Sequence, residues 1–285
     1  MTYSIVARDA ETGEMGVAVA SHAFAVGSAV AFGVAGVGAV ATQGSPLVGD
    51  AERLLDALAR GERAEDALSE LVSSNGGSPL QQTAVVGMHG AAAAHTGAFC
   101  VRFAGHSVVD EVACQGNLLA TDGVWERMQE AYTHARAPWE ERLLSALRAA
   151  LAVGGDLRGQ QSAALLIVGP HRGSRPRIDL RVDDHADPLA EIQRLLDLDR
   201  ADALLRAGIR AVTGGGRDDV VAARDALNAA QEIFGPENQE PTFWAGVVAE
   251  SLGEGNDHYP ADPSWQELRL RLLQRHIPGG EKENA

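Results

Sequence analysis

Lysine is almost missing from this chain. Lys282, in the polar C-terminal stretch, is the only one among 24 basic residues. Reactions that need a lysine amine inside the folded body, such as Schiff-base formation, are therefore closed to it. Cysteine is nearly as scarce: Cys100 and Cys114 stand alone, with thirteen residues between them. That spacing offers neither a disulfide framework nor a zinc knuckle, and two buried thiols are expected. Positive charge is outweighed, with 39 acidic residues, a net charge of −15 and a pI of about 5.0. Such a balance argues against nucleic acid or an anionic membrane as partner. No Walker A sequence, no G-x-S-x-G nucleophile elbow and no H-E-x-x-H pair occurs, so no cofactor and no metal are expected. The first residues lack a basic segment followed by an apolar one, and a cytoplasmic location is expected.

Charge is also absent locally. From Met15 to Gly49 there is not one Asp, Glu, Lys or Arg. A run of that length invites a membrane-span reading. Gly16, Gly27, Gly33, Gly36 and Gly38 break it, however, and it carries Ser21, His22, Ser28, Thr42 and Gln43. Short Ala/Val segments parted by glycine are the pattern of strands buried on both sheet faces. The predicted strands are Tyr3–Arg8, Met15–Ser21, Ser28–Val34 and Val37–Gln43. Gly36-Val-Gly38-Ala-Val-Ala41 has the form of a dinucleotide fingerprint, with Asp56 twenty residues on. No helix opens at those glycines, so a hairpin turn is the preferred reading.

Further on, the pattern predicts helices from Ser45-Pro46 to Arg60 and over Arg63–Ser73, where Asn75-Gly76-Gly77 would end the second. Strands follow at Thr83–Met88, Ala91–His95, Cys100–Phe103, Ser107–Val109 and Glu111–Cys114. Two helices, near Thr121-Asp122 and from Pro138, precede strands Ser162–Val168 and Arg177–Val182 and a helix over Pro188–Leu198. Strands, helices, strands, helices, strands is the order of antiparallel sheets with helices packed outside, an α+β layered architecture. From Arg200 onward only helical patterns remain: Ala201–Val212, Asp218–Phe234, Pro241–Leu252 and Pro263–His276. A flexible joint is expected at Gly214-Gly215-Gly216. The expected organisation is a body over 1–198, a helical extension over 199–278 that could hold one tetratricopeptide-like helix pair, and a disordered tail over 279–285.

Thr2 carries the sharpest chemical possibility. Removal of Met1 would leave a threonine whose hydroxyl and α-amine form a nucleophile with its own base. The amine's reference pKa of about 7.7–8.0 leaves part of it neutral near pH 7. Gln43, Thr96, Gln115, Asn117, Asp156, Gln161 and Ser162 all fall at predicted strand ends or loops, where they could converge at one end of the sheets. Asp183-Asp184-His185 reads as an exposed strand end, because neighbours on an extended chain point to alternate sides and do not converge on one ion.

Thr2-Tyr-Ser-Ile-Val-Ala-Arg8, Gly16-Val-Ala-Val-Ala-Ser21, Gly36-Val-Gly-Ala-Val-Ala-Thr-Gln43, Gln115-Gly-Asn117, Gln161-Ser-Ala-Ala-Leu165 and Asp179-Leu-Arg-Val-Asp-Asp-His185 occur in that order. In this the chain resembles the bacterial domain-of-unknown-function family 1028 over about Met1–Leu198. That family is grouped by resemblance with the N-terminal nucleophile (Ntn) hydrolases, which implies a four-layer αββα sandwich. The resemblance implies Thr2 as nucleophile, Gln115-Gly116-Asn117 as the loop beside it with Asn117 or the Gly116 backbone as oxyanion donor, and Asp156 as a supporting acid. Ser21, Gln43, Thr96, Gln115, Gly116, Gln161 and Ser162 become candidate substrate-binding residues. Proteasome-like members keep an Asp on the second strand and a Lys beyond it; here that strand ends at Ser21 and no such Lys exists. The expectation is therefore hydrolysis of a small-molecule C–N amide bond by a homo-oligomer. The alternatives are a proteasome-like peptidase and a non-catalytic binding or scaffold protein on the same fold.

Overall fold

The computed structural model describes residues 2–74, 78–101, 103–214, 217–254 and 259–275. Among the described residues, ten strands form two wholly antiparallel sheets. The larger has the order β10-β9-β2-β1-β8-β7 and is built from β1 (Thr2–Arg8), β2 (Met15–Ser21), β7 (Gly105–Val109), β8 (Val112–Asn117), β9 (Ser162–Val168) and β10 (Ile178–Val182). The smaller has the order β3-β4-β5-β6, from β3 (Ala31–Val34), β4 (Gly38–Gly44), β5 (Gln81–Gly87) and β6 (Ala93–Thr96). The uncharged run thus supplies β2 through β4, and its lack of charge follows from where those strands lie. Val6, Val17, Val19, Ala113 and Leu166 of the large sheet share one core with Ala39, Ala41, Ala84 and Val86 of the small one.

Alternation along each strand gives its other face a second partner. Val37, Val40 and Val85 turn away from the large sheet and bury Leu54, Leu58, Leu68 and Leu71, from α2 (Asp50–Ala59) and α3 (Ala64–Ser74). The large sheet's β1, β2 and β8 contact α4 (Val124–His134) and α5 (Trp139–Ala152), whose Met128, Leu143, Leu144 and Leu147 are buried. The fold is a mixed α+β one of two antiparallel sheets with helices.

Several elements depart from the sequence expectation. Ser28–Val34 is not all strand: Val26–Val30 makes a short helix, α1, and only Ala31–Val34 is β3. A Cβ on Gly27 would lie 2.6 Å from that of Ala164, so the missing side chain lets this helical turn settle directly on β9. The helix expected from Ser45-Pro46 begins only at Asp50: Gly49, just before it, is left-handed at φ +87°, and the Leu47 N–H is taken by the Asp50 carboxylate. Cys100, Val101 and Phe103 lie in a loop rather than a strand. The Gly36–Ala41 motif is a hairpin turn: Gly36 has φ +69° and leads from β3 into β4.

The chain divides into two compact units between Arg194 and Leu195, within α6 (Pro188–Gly214), which the sequence pattern had read as two helices. The second unit has its own core, in which Ala201, Leu205 and Val212 of α6 join α7 (Arg217–Phe234), α8 (Glu240–Ser251) and α9 (Pro263–Arg275). No described helix is long and apolar enough to cross a membrane. Asn75–Gly77, Gly215-Gly216 and the expected tail lie outside the described residues.

Candidate active site

Antiparallel register decides what gathers at the start of β1. Thr2 stands opposite Ser21 on one side and Asn117 on the other, and Gln43 stands opposite Gln82 in the facing sheet. Register partners share a face. Thr2, Ser21 and Asn117 therefore look together toward the small sheet, and so do Ser4 and Gln115.

Between the sheets these residues form a chain of uncharged hydrogen bonds. Thr2 Oγ1 lies 3.1 Å from Ser21 Oγ. Gln43 Nε2 donates to the Thr2 carbonyl at 3.0 Å and to Gln82 Oε1 at 2.9 Å, while its Oε1 accepts from Ser4 Oγ at 2.8 Å. Asn117 Nδ2 donates to the same Gln82 Oε1 at 2.7 Å. Gln82 Nε2 in turn donates to the carbonyls of Gly116 and Gly105 and to Thr96 Oγ1. Gln115 Nε2 reaches Ser4 Oγ and the Ala41 carbonyl. No charged side chain takes part in these bonds. A network of this kind can be buried without the desolvation cost of an ion pair, provided its members are satisfied.

Gln82 is the hub, and sequence reading missed it. The sequence pattern starts this strand at Thr83, which leaves Gln82 in the preceding loop. The signal was the Gln81-Gln82 pair itself, since consecutive amides at a strand start put one on each face. Gln81 faces the other way and donates to Asp50 Oδ2 at 2.8 Å, bracing the start of α2.

The remaining expected residues stand apart from Thr2. Both carboxylate oxygens of Asp156 are engaged in tying loops: Oδ2 accepts from the His22 N–H at 2.8 Å, Oδ1 from the Arg158 N–H at 2.9 Å, and Arg158 pairs with it at 3.2 Å. Among the described residues no hydrogen bond joins Asp156 to Thr2. Its charge is felt by Tyr3, whose phenol is pushed well above its ordinary pKa by burial and, second, by that carboxylate. Ser162 Oγ donates to the Ala23 carbonyl and accepts from the Val26 N–H, fixing the entry to α1. Gln161 holds Asp184 near the surface and gives its N–H to the Ser21 carbonyl. Thr96 lies at the rim, between Gln82 and His106 Nδ1.

Chain geometry at the site is fixed by two unusual turns. Leu118, directly after Asn117, has φ +51°, a left-handed conformation rare for a branched side chain. Its N–H is held by the Val101 carbonyl and its carbonyl by the Leu157 N–H. Gly44, directly after Gln43, has φ +81°, and a Cβ there would sit 2.1 Å from the Leu80 carbonyl oxygen. Both turns, directly after Asn117 and Gln43, end the site strands abruptly.

A model of the family of unknown function DUF1028 matches residues 2–192. The crystal structure of protein SPO2555 from Silicibacter pomeroyi, assigned to DUF1028, is 34% identical, with a TM-score of 0.63 over 68% of this chain and 87% of that one. Anbu (ancestral beta-subunit) from Yersinia bercovieri aligns with a TM-score of 0.34 and 10% identity, over 67% of this chain and 91% of its own. No curated protein matches. On the family match and the identity to the Silicibacter structure, the chain belongs to DUF1028.

Proposed function

We propose that this protein is an Ntn-type amidohydrolase, with Thr2 as nucleophile once the preceding residue is removed, on a four-layer αββα sandwich. The observation that carries the reading is the setting of Thr2. It heads a buried central strand, its hydroxyl lies 3.1 Å from Ser21 Oγ, and its carbonyl is fixed by Gln43. No His, Asp, Glu, Lys or Arg side chain hydrogen-bonds Thr2 Oγ1 among the described residues, which leaves the α-amine of Thr2 as the base in reach.

In this mechanism Thr2 Oγ1 attacks the amide carbon while the α-amine takes the hydroxyl proton. The carbonyl oxygen gains the negative charge. Asn117 Nδ2 has a second hydrogen beyond the one it gives Gln82, and it serves as oxyanion donor. The proton passes from the α-ammonium to the departing nitrogen as the C–N bond breaks. Water, deprotonated by the same amine, then hydrolyses the acyl-threonine ester. Gln43 has both amide hydrogens committed, so it positions Thr2. Ser21 orients the hydroxyl.

The test begins with the intact mass of native protein, which is expected to show Thr2 at the N-terminus. Against a panel of amides, Thr2→Ser is expected to retain turnover, and Thr2→Ala and Thr2→Val to lose it by several orders of magnitude at similar melting temperatures. Asn117→Ala should lose about two to three orders. Full turnover by Thr2→Ala, or an N-terminus that stays blocked in active protein, would remove Thr2 from the chemistry.

A further inference from the structure

Beside Asn117 a cavity of about 200 Å³ opens between the ends of β4, β5 and β8. Leu80, Val101 and Leu118 give it apolar walls, Gly44, Ser45 and Cys100 complete the sides, and Asn117 is its polar end. Three backbone bonds hold these loops in place: Ser45 N–H to the Leu80 carbonyl, Phe99 N–H to the Pro79 carbonyl and Leu118 N–H to the Val101 carbonyl. Among the described residues the lining has no ionisable group except the Cys100 thiol. Burial pushes that thiol above its ordinary pKa, which keeps it neutral. Exposed apolar side chains crowd the same loops: Leu47, Val48, Leu80 (47% exposed), Phe99 (63%) and Val101 (57%). Exposed apolar residues grouped around a cleft mark a binding site more often than chance surface composition does.

We infer that this cavity receives an uncharged, apolar substituent of the substrate, and that the amide lies between it and Thr2. The inference deepens the amidohydrolase reading and rests on it for the position of the scissile bond. Size supports it: a dry cavity of about 150 Å³ holds a benzene ring, so a phenyl, benzyl or branched alkyl group fits here. Chemistry supports it as well. A carboxylate or ammonium in this cavity would meet no counter-charge among the described lining residues and would have to shed its hydration. The preferred substrates are therefore amides of hydrophobic acids or amines, such as phenylacetyl or branched-chain acyl amides.

Cys100 supplies a readout that does not need turnover. Cys114 is fully buried, so iodoacetamide labelling of the native protein, read by mass spectrometry, reports Cys100. Phenylacetamide at about ten times its dissociation constant is expected to slow labelling roughly tenfold by simple mass action. Succinamate, which carries a carboxylate, is expected to leave the rate unchanged. Leu80→Trp fills the cavity from a partly exposed position and should abolish protection with the melting temperature retained; Val101→Arg serves the same purpose if Leu80→Trp does not fold. Thr2→Ala should be protected as well as wild type. Equal protection by succinamate, no protection by either amide, or protection undiminished in the filled variant would overturn the inference. The two readings fail separately. Turnover surviving in Thr2→Ala removes the nucleophile and leaves the subsite, whereas turnover without protection or apolar preference removes the subsite and leaves the nucleophile.

Discussion

The two units of this chain solve the same problem, placing polar groups against a hydrophobic core, in opposite ways. In the first unit the polar cluster is neutral. Thr2, Ser4, Ser21, Gln43, Gln82, Gln115 and Asn117 are all buried, and they bond to one another and to backbone carbonyls. In the second unit the cluster is charged and lies at the core's edge. Glu250 accepts from Arg269 Nε at 3.0 Å and Nη2 at 2.8 Å and from the Tyr259 hydroxyl at 2.7 Å. Arg269 also stacks over the Tyr259 ring, beside the aromatic core of Phe243 and Trp265. Amides hold a fixed geometry in a dry interior where isolated charges would be too costly. The ion pair keeps contact with water and works where partial solvation lowers its cost. The difference teaches that a cluster closed between two sheets can be satisfied by amides and hydroxyls alone, whereas an ion pair is kept where water still reaches it.

The strongest way to break this comparison is Gln82→Leu. It keeps the volume and removes the hub. Gln43 Nε2, Asn117 Nδ2 and the carbonyls of Gly105 and Gly116 would lose a buried partner at once. Each orphaned group costs about 1–3 kcal/mol, and the neighbours will recover part of it, so a loss of about 3–5 kcal/mol is expected in urea or thermal unfolding. A loss below about 1 kcal/mol would mean that the amide chain is not holding the two sheets together.

Glu250→Gln should do far less to the second unit. The substitution keeps an acceptor for Tyr259 and Arg269 and removes only the charge. Both partners of the ion pair are about a third exposed, and pairs of this kind contribute about 0.2–1 kcal/mol. Hydrogen bonds from Arg269, the larger cause, and from Tyr259 hold the Glu250 carboxyl below its usual range despite partial burial. Its contribution is therefore complete above the ordinary carboxylate pKa and fades as pH falls through the lowered one. The variant's deficit should shrink in high salt and at acid pH. A deficit that matched Gln82→Leu, or ignored salt, would erase the distinction between the clusters.

How much of this was legible before the structure depends on which residues carried local signals. β1 and β2 were readable because short runs rich in Ala and Val flank the charged Asp9–Glu14 turn. Ser21, Gln43 and Asn117 were readable as strand-end polars, and register then brought them to Thr2. Gln82 was only faintly so: the Gln81-Gln82 pair hints at one amide on each face, but most of the partners that make Gln82 the hub come from the facing sheet. Asp156 was readable as a loop carboxylate, but its ties to the His22 N–H and to Arg158 come from tertiary packing and were not. Val26–Val30 misled because Ala, Val and Gly fit a strand or a turn equally, and the close approach of Gly27 to Ala164 is a tertiary fact. α6 was read as two helices because it serves two units along its length: Leu189 and Ile192 are buried in the first, and Leu196, Ala201, Leu205 and Val212 in the second.

The smallest effect is expected at His106, where a titratable group joins the neutral network at its rim. Thr96 Oγ1 accepts from Gln82 Nε2 and lies 2.8 Å from His106 Nδ1. With Nδ1 unprotonated, the Thr96 hydroxyl can donate to it. Protonation of the ring makes Nδ1 a donor and leaves that hydroxyl without its acceptor. Burial, the larger cause, and the nearby His95 both press the His106 pKa below its ordinary 6.5. The unfolded chain therefore binds this proton more readily than the folded one, so stability rises with pH across the interval between the lowered pKa and 6.5. The contribution is complete above 6.5 and is lost as pH falls through the folded value. His106 is exposed to solvent, so screening limits the change to about a few tenths of a kcal/mol. Proton NMR should place the His106 midpoint below 6.5, and His95→Ala should move it upward. His106→Asn should flatten the corresponding part of the stability profile. A midpoint above 6.5 would show that the rim favours the charged ring, and the neutrality of the network would then end at Thr96.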